Sequence, residues 1–260
     1  MNTIQLHKRD KEIIEYILRY RVATIYQIMR DLGFHYRRNL CGRLIKLANS
    51  GYLVSDWSEN KKVYSIGRKG QILLLEGKYF VGSFKQQHLG NISSKTNHDI
   101  MLNDVYHAIE SIESVQFLKT HNTFLLEESF NSQIRNIPDG SFIISANGIE
   151  KQIALELEIS PKKKDHYHKI LICYHEDGET EKIIYLVENH QIQQLILQVD
   201  KPYAEMYNDK IYVALVQDFL TDPIRCKFKS SLGKEFSFNS SLIQLRHLPQ
   251  TALRQPVLKV

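Results

Sequence analysis

Two apolar runs joined by Asn147-Gly148 constrain the fold of this chain more than any other feature. Asn-Gly tolerates the positive φ angles of a type I′ turn, and between apolar runs it is the strongest short-range signal for a β-hairpin. The first run, residues 142–144, follows Pro138-Asp139-Gly140, and the second covers residues 153–159. A helical stretch and an all-apolar run at 183–187 come next. The order predicts a hairpin, a helix and a buried strand, which is an α/β unit.

Three carboxylates fall at one end of this predicted hairpin. Asp139 begins its first strand, and Glu156 and Glu158 lie near the end of its second. Residues two apart in a strand project on one face, so both glutamates point together while Leu155 and Leu157 face the core. Such a cluster is costly without a cation, and Mg²⁺ or Mn²⁺ suits hard oxygen ligands and activates water against a phosphodiester. The alternative is an ordinary half-buried strand after a common Pro-Asp-Gly turn.

The N-terminal 75 residues show three helical patterns followed by two short β segments. The helices are predicted at residues 8–21, from an N-cap at Thr24, and at residues 34–49. The strands, at 52–55 and 62–66, flank a polar loop. This order is typical of a winged helix-turn-helix.

Charge supports a nucleic-acid partner for this end of the chain. Residues 1–70 hold 14 Lys and Arg against 6 Asp and Glu, a net of +8, whereas the remaining 190 residues carry a net of −3. A helix-turn-helix places its third helix in the major groove, with the wing on the phosphates. The residues predicted to face double-stranded DNA are Tyr36, Arg37, Arg38, Arg43 and Lys46 on the third helix and Lys61 and Lys62 on the wing. Winged helices also dock proteins, and that alternative stays open.

The chain beyond this region is predicted to form a second domain. Residues 76–96 have the composition of a linker, residues 97–245 continue as α/β, and residues 246–260 form a basic tail. The second domain opens with a helix at Asn97-His98-Asp99, from which Glu110 offers an extra carboxylate.

Cysteine spacing and hydropathy indicate the cellular compartment and whether a membrane is involved. Cys41, Cys173 and Cys226 are far apart and odd in number, which indicates neither a disulfide framework nor a zinc ribbon. No apolar stretch reaches the roughly 18 residues of a membrane span. We expect a cytoplasmic protein without membrane association.

Pro138-Asp139 and Glu156-Leu157-Glu158 resemble the two motifs of the PD-(D/E)XK nucleases. The resemblance implies a restriction-endonuclease-like α/β domain, α+β over the whole chain, with Mg²⁺ or Mn²⁺ held by the three carboxylates. Glu158 stands where the family has lysine, which puts catalytic competence in question. A lysine displaced in sequence could substitute: four follow the motif, Lys162, Lys163, Lys164 and Lys169, and Lys169 is taken as the candidate catalytic residue.

The order of a winged helix, the Asn97-His98-Asp99 helix, Pro-Asp-Gly, the A-L-E-x-E strand and a helix with Lys169 and Tyr174 is similar to the replication-relaxation family, which includes MobC-type plasmid relaxases. This similarity implies site-specific nicking at a plasmid transfer or replication origin. Tyr174 is then a candidate for holding the cut strand. A coupling ATPase and other mobilisation proteins are the implied partners, and a homodimer is left open.

Three alternatives remain at this point. The first is a non-catalytic, sequence-specific DNA-binding regulator with a degenerate nuclease-like domain, which Glu158 favours. The second is a relaxase that binds metal through His166 and His168, although residues two apart diverge on a helix. The third is a nuclease subunit of a heteromeric transposase, against which the domain order argues.

Overall fold

The computed structural model describes residues 4–75, 96–123, 137–146, 149–178 and 180–239. Within them the chain forms a three-stranded and a seven-stranded β-sheet, both flanked by helices. The α/β fold class predicted from the sequence is thereby confirmed.

The N-terminal part has the helix and strand order of a winged helix-turn-helix. Its elements are α1 (Lys8–Tyr20), β1 (Val22–Thr24), α2 (Ile25–Asp31), α3 (Arg37–Asn49), β2 (Leu53–Ser58), β3 (Lys61–Ile66) and α4 (Arg68–Leu75). The antiparallel sheet has the order β1-β3-β2. Thr24 caps α2 as predicted, because its side chain accepts a hydrogen bond from the backbone N–H of Gln27.

The wing is tighter than the sequence predicts. The expected polar loop at residues 56–61 is mostly strand, since β2 continues to Ser58 and β3 begins at Lys61. Glu59 and Asn60 make the turn, both with positive φ (44° and 65°), which is the backbone of a two-residue hairpin. The wing is therefore a short, stiff β-ribbon.

The second part is a mixed sheet with the order β10-β9-β8-β7-β6-β5-β4. Its elements are α5 (Thr96–Glu110), β4 (Val115–Thr120), β5 (Gly140–Ala146), β6 (Ile149–Glu158), α6 (Lys164–Glu176), β7 (Lys182–Val187), α7 (His190–Met206), β8 (Ile211–Leu215), α8 (Val216–Thr221), β9 (Phe228–Ser230) and β10 (Glu235–Phe236). Strands β5 and β6 pair antiparallel, and β6, β7 and β8 are parallel, joined through α6 and α7. The predicted hairpin-helix-strand unit is present.

Alternate residues of β6 face different helices. Leu155 and Leu157 join a core that includes α5 and α8, whereas Ala154 packs with Tyr167 and Tyr174 of α6. Both clusters are fully enclosed, so burial of apolar area on the two faces holds the central strands. The even-numbered residues at the end of β6 consequently lie on the α6 side.

The N-terminal part packs directly on α5. Asn103 of α5 donates a hydrogen bond to the carbonyl of Val22, and Gln27 Nε2 donates to the carbonyl of Ile100 at 2.8 Å. Arg30 adds an ion pair with Asp104 at 2.7 Å. One apolar cluster continues through both parts. The predicted linker at 76–96 lies outside the described residues except for Thr96, and so does the tail at 246–260.

None of the helices in the described ranges is both long and apolar enough to cross a membrane. Cys41, Cys173 and Cys226 are all free thiols.

Candidate active site

The predicted carboxylates meet where β5 begins and β6 ends. Gly140 pairs with Leu155, so Asp139 lies just beyond the paired region, beside the last residues of β6. Its Oδ2 accepts a hydrogen bond from the backbone N–H of Leu157 at 2.8 Å. The Asp139 side chain therefore takes the place that a continuing β5 backbone would have occupied.

Glu156 and Glu158 project from β6 toward α6, as the period of two predicts. Glu156 stands opposite Tyr185 of β7, and its Oε1 accepts a hydrogen bond from the hydroxyl of Tyr174. Glu158 is buried at 4 % exposure, with Lys162 Nζ 2.5 Å from its Oε2. Each glutamate thus has a donor from the segment that leads into or forms α6.

The charges in this cluster are coupled. Burial, together with the negative charge of Asp139, raises the pKa of Glu156 to about 8. Burial acts on Asp139 in the same direction, but the hydrogen bond and charge of His98 outweigh it and lower the pKa of Asp139. At neutral pH Asp139 is ionised and Glu156 holds a proton, so the pair has one proton to exchange.

His98 lies between this cluster and α5. Its Nε2 is 3.3 Å from Asp139 Oδ2 and 3.1 Å from the carbonyl oxygen of Leu157, and its Nδ1 is 3.4 Å from Asp99 Oδ1. Burial lowers the pKa of His98, but the two carboxylates outweigh it and raise that pKa to about 10. His98 is therefore a buried cation.

The types of donor at this point, though not their spacing in this structure, suit a hard divalent cation. Carboxylates converge, and the hydroxyl of Tyr185, a residue that is 2 % exposed, has no hydrogen-bond partner among the described residues. A buried hydroxyl of this kind is rare unless a water or an ion completes it. In the part of the chain that the structure covers, no three His, Cys, Asp or Glu side chains lie close enough to hold an ion as they stand. His98 and Lys162 supply the positive charge instead.

Two of the predicted catalytic residues, Tyr174 and Lys169, lie in different surroundings on α6. Tyr174 is buried and bonded to Glu156, whereas Lys169 is exposed on α6. The lysine that contacts the cluster is Lys162, at the end of the β6–α6 connection. Lys162 follows Glu158 by four residues outside any helix, so spacing alone does not mark it, and its contact depends on how this connection turns back.

Most of the residues predicted to face DNA are exposed on the N-terminal part. Tyr36 is 72 % exposed directly before α3, and Arg37 lies over the ring of Tyr26 at 5.1 Å. Arg38, Lys46 and Lys61 are exposed, and Lys62 lies half-buried over the Tyr64 ring at 5.8 Å.

Arg43 departs from that prediction. Its guanidinium binds the carboxylate of Asp10, a residue with 1 % exposure, and also donates to the carbonyl of Gln5 at 2.9 Å. Because the donors are engaged inside the domain, Arg43 joins α3 to the start of α1 and does not point to a DNA surface. Glu110 is similarly occupied, in an ion pair with Arg19 at 2.8 Å, and does not reach the carboxylate cluster.

The alternative His166 and His168 pair does not form in this structure. His166 is exposed, and His168 Nδ1 is 3.0 Å from the hydroxyl of Tyr203. The two residues lie on the first turns of α6, where their side chains diverge.

A cleft beside Asp139 was not predicted from the sequence. It lies between the C-terminal end of α1, the start of α5 and the end of β4, and its lining includes Arg19, Arg21, His98, His121 and Asn122. The sequence marks His98 only through the Asn97-His98-Asp99 start of α5. Arg21 and His121 carry no comparable signal, because their approach depends on tertiary packing.

No protein-family model and no curated protein matches this chain. Among solved structures it resembles the restriction endonuclease FokI bound to DNA, with 10% sequence identity and a TM-score of 0.29. The match covers 85% of this chain and 46% of that one, so the chain spans less than half the length of the protein it matches. A TM-score this low carries no argument about fold or activity.

Proposed function

We propose that this protein is a metal-dependent DNA endonuclease that nicks one strand, acting as a relaxase at a plasmid or mobile-element origin. The observation that carries the proposal is the approach of Asp139 to Glu156 at one strand end, where the pKa of Asp139 is lowered and that of Glu156 is raised. Paired carboxylates with separated pKa values are typical of hydrolytic sites.

Asp139, Glu156 and Glu158 would hold Mg²⁺ or Mn²⁺. The bound ion supplies a polarised phosphate and a water that ionises near neutral pH. Lys162 positions Glu158 and brings a positive charge to the place where the scissile phosphate would accumulate negative charge. Tyr174 orients Glu156 through its hydroxyl, and its burial favours this positioning role over that of a nucleophile. Water is accordingly the preferred attacking group.

The winged helix would select the site. The exposed start of α3, with Tyr36, Arg37 and Arg38, suits the major groove, and Lys61 on the stiff wing suits the phosphates. The basic excess in residues 1–70 supports the same partner. Recognition of an origin and engagement with a coupling ATPase are part of this proposal and rest on the sequence similarity.

A plasmid assay tests the proposal. Purified protein with supercoiled DNA and Mn²⁺ or Mg²⁺ is expected to produce open circles, and Asp139→Asn and Glu156→Gln are expected to abolish them. Glu150→Gln, an exposed residue on the same strand β6, is the matched control and should nick like the native chain. Nicking that persists in both site variants would contradict the assignment. A strand that stays attached to protein after denaturation would contradict the water mechanism.

The second candidate is a DNA-binding regulator without cleavage. It is favoured by Glu158 at the usual lysine position and by the way His98 and Lys162 already neutralise the carboxylates. Specific retardation of an origin duplex, with no open circles under any divalent metal, would select this candidate over the nuclease.

A further inference from the structure

The cleft beside Asp139 is walled by both parts of the molecule. The end of α1 contributes Arg19 and Arg21, α5 contributes His98 and Asp99, and the residues after β4 contribute His121. The lining has four basic side chains, those of Arg19, Arg21, His98 and His121, and two acidic ones, those of Asp99 and Asp139. An anion that enters this cleft would lie beside Asp139, the one residue of the carboxylate cluster that lines it.

Arg21 is held there in a strained backbone conformation. It follows α1 with φ 68° and ψ −49°, close to the rare γ-turn, a region that non-glycine residues seldom adopt. Glycine would meet this conformation with less strain. Strained residues cluster at sites that bind ligands, where the side chain compensates for the backbone.

The guanidinium of Arg21 has donors to offer. Its ion pair with Asp99 spans 3.4 Å between Nη1 and Oδ2, which is longer than a charge-assisted hydrogen bond. Arginine carries five N–H donors in a planar fork that matches two phosphate oxygens. The side chain retains partial exposure, at 28 %, on the cleft side.

The cleft is also held rigidly from both sides. Thr120 Oγ1 donates to the carbonyl of Arg19 at 2.8 Å, and Asn122 Nδ2 donates to the carbonyl of Leu18 at 2.6 Å. These bonds fix the backbone that leads into Arg21 against the end of β4. A rigid site loses little entropy when a ligand binds.

We infer that this cleft binds one phosphate of the DNA strand, next to the phosphodiester bond that is cleaved beside Asp139, with Arg21 as the principal ligand of that phosphate. The inference rests on the proposed nuclease function. It adds a substrate contact at which the two parts of the molecule hold the same strand.

Binding in EDTA tests the inference separately from cleavage. Affinity for a labelled duplex and a labelled single strand is measured by fluorescence anisotropy over a range of salt concentrations. Arg21→Asn removes the charge and leaves the backbone strain in place, so its melting temperature should stay close to that of the native chain. Log affinity decreases as log salt increases. For Arg21→Asn this slope should be shallower than that of the native chain, by about one for the duplex and by slightly less for the single strand.

Arg225→Asn is the matched control, because Arg225 is an exposed arginine outside the cleft. An unchanged slope in Arg21→Asn, or an equal fall in Arg225→Asn, overturns the subsite. Should Arg21→Asn melt below the native chain, Arg21→Lys decides: a native slope in that variant supports the subsite, and a lowered one overturns it. Nicking of supercoiled plasmid is scored independently, so a failed nuclease proposal is distinguishable from a failed phosphate site.

Discussion

The surroundings of Glu156 disfavour the ionised form of its side chain. It lies on a buried strand beside ionised Asp139, and burial together with that neighbour raises its pKa to about 8. Tyr174 partly offsets this by donating to Oε1. A carboxyl group in this environment takes up or releases a proton near neutral pH, which an exposed glutamate does not.

The raised pKa of Glu156 gives a stability prediction for the metal-free protein. A proton stays on folded Glu156 at pH values where the unfolded chain has lost it, so stability falls as pH rises from about 4.5 toward 8. The contribution of His98 to stability does not change with pH well below 6.5. There the imidazole is protonated both in the unfolded chain and in the folded protein, where its pKa is raised to about 10. Between pH 5 and 6.5, Glu156→Gln should remove a downward slope of at most about 1.4 kcal/mol per pH unit.

Urea unfolding in EDTA across that pH range measures this effect. Glu150→Gln, on the exposed part of β6, should keep the native slope. A Glu156→Gln variant with the same pH dependence as the native chain would show that the proton is not on Glu156.

The spacing of the carboxylates was predictable, but their neighbours were not. Period-two geometry and the Asn-Gly turn place Asp139, Glu156 and Glu158 together without any tertiary information. His98 comes from a helix some forty residues away, and its contact with Asp139 depends on how α5 packs across the sheet. Local pattern carries no such information, and for the same reason Arg21 escaped prediction.

Helix α3 shows the limit of pattern at the scale of an element. Its arginines share the solvent side of an amphipathic pattern, yet Arg43 turns to the buried carboxylate of Asp10 while Arg38 remains exposed. The short β1, β9 and β10 also escaped prediction, because two or three residues carry no measurable period. Longer elements such as α5, β6 and β7 were predictable from apolar spacing.

Arg38 and Arg43 of α3 should respond differently to substitution. Arg43→Ala leaves the Asp10 carboxylate buried without its counter-ion, so we expect a loss of about 3 kcal/mol in the free energy of unfolding. Arg38→Ala should change that free energy by less than about 0.5 kcal/mol and instead weaken duplex binding. Urea unfolding and fluorescence anisotropy separate the two effects. A stable Arg43→Ala variant with weakened DNA binding would contradict this structural role and support the predicted contact of Arg43 with DNA.

At the scale of the whole molecule, α5 belongs to both parts. Its residues pack on the seven-stranded sheet through Leu102 and Val105, and on the N-terminal part through Asn103 and Asp104. The apolar cluster that includes them extends from α1 to β8 without interruption. Such continuity predicts that the two parts move as one rigid body, in which the distance from α3 to the carboxylate cluster is fixed.

A single body should also unfold as one. Asn103 is 1 % exposed and donates across the junction to the carbonyl of Val22, so Asn103→Ala removes a buried hydrogen bond at a cost of about 1–3 kcal/mol. Hydrogen exchange read by mass spectrometry should show α1 and β7 losing protection by the same amount, since both exchange through the shared global opening. The exposed Asn208→Ala variant should leave both unchanged. Faster exchange confined to α1 would mean that the winged helix opens independently, and the distance to the site would then not be fixed.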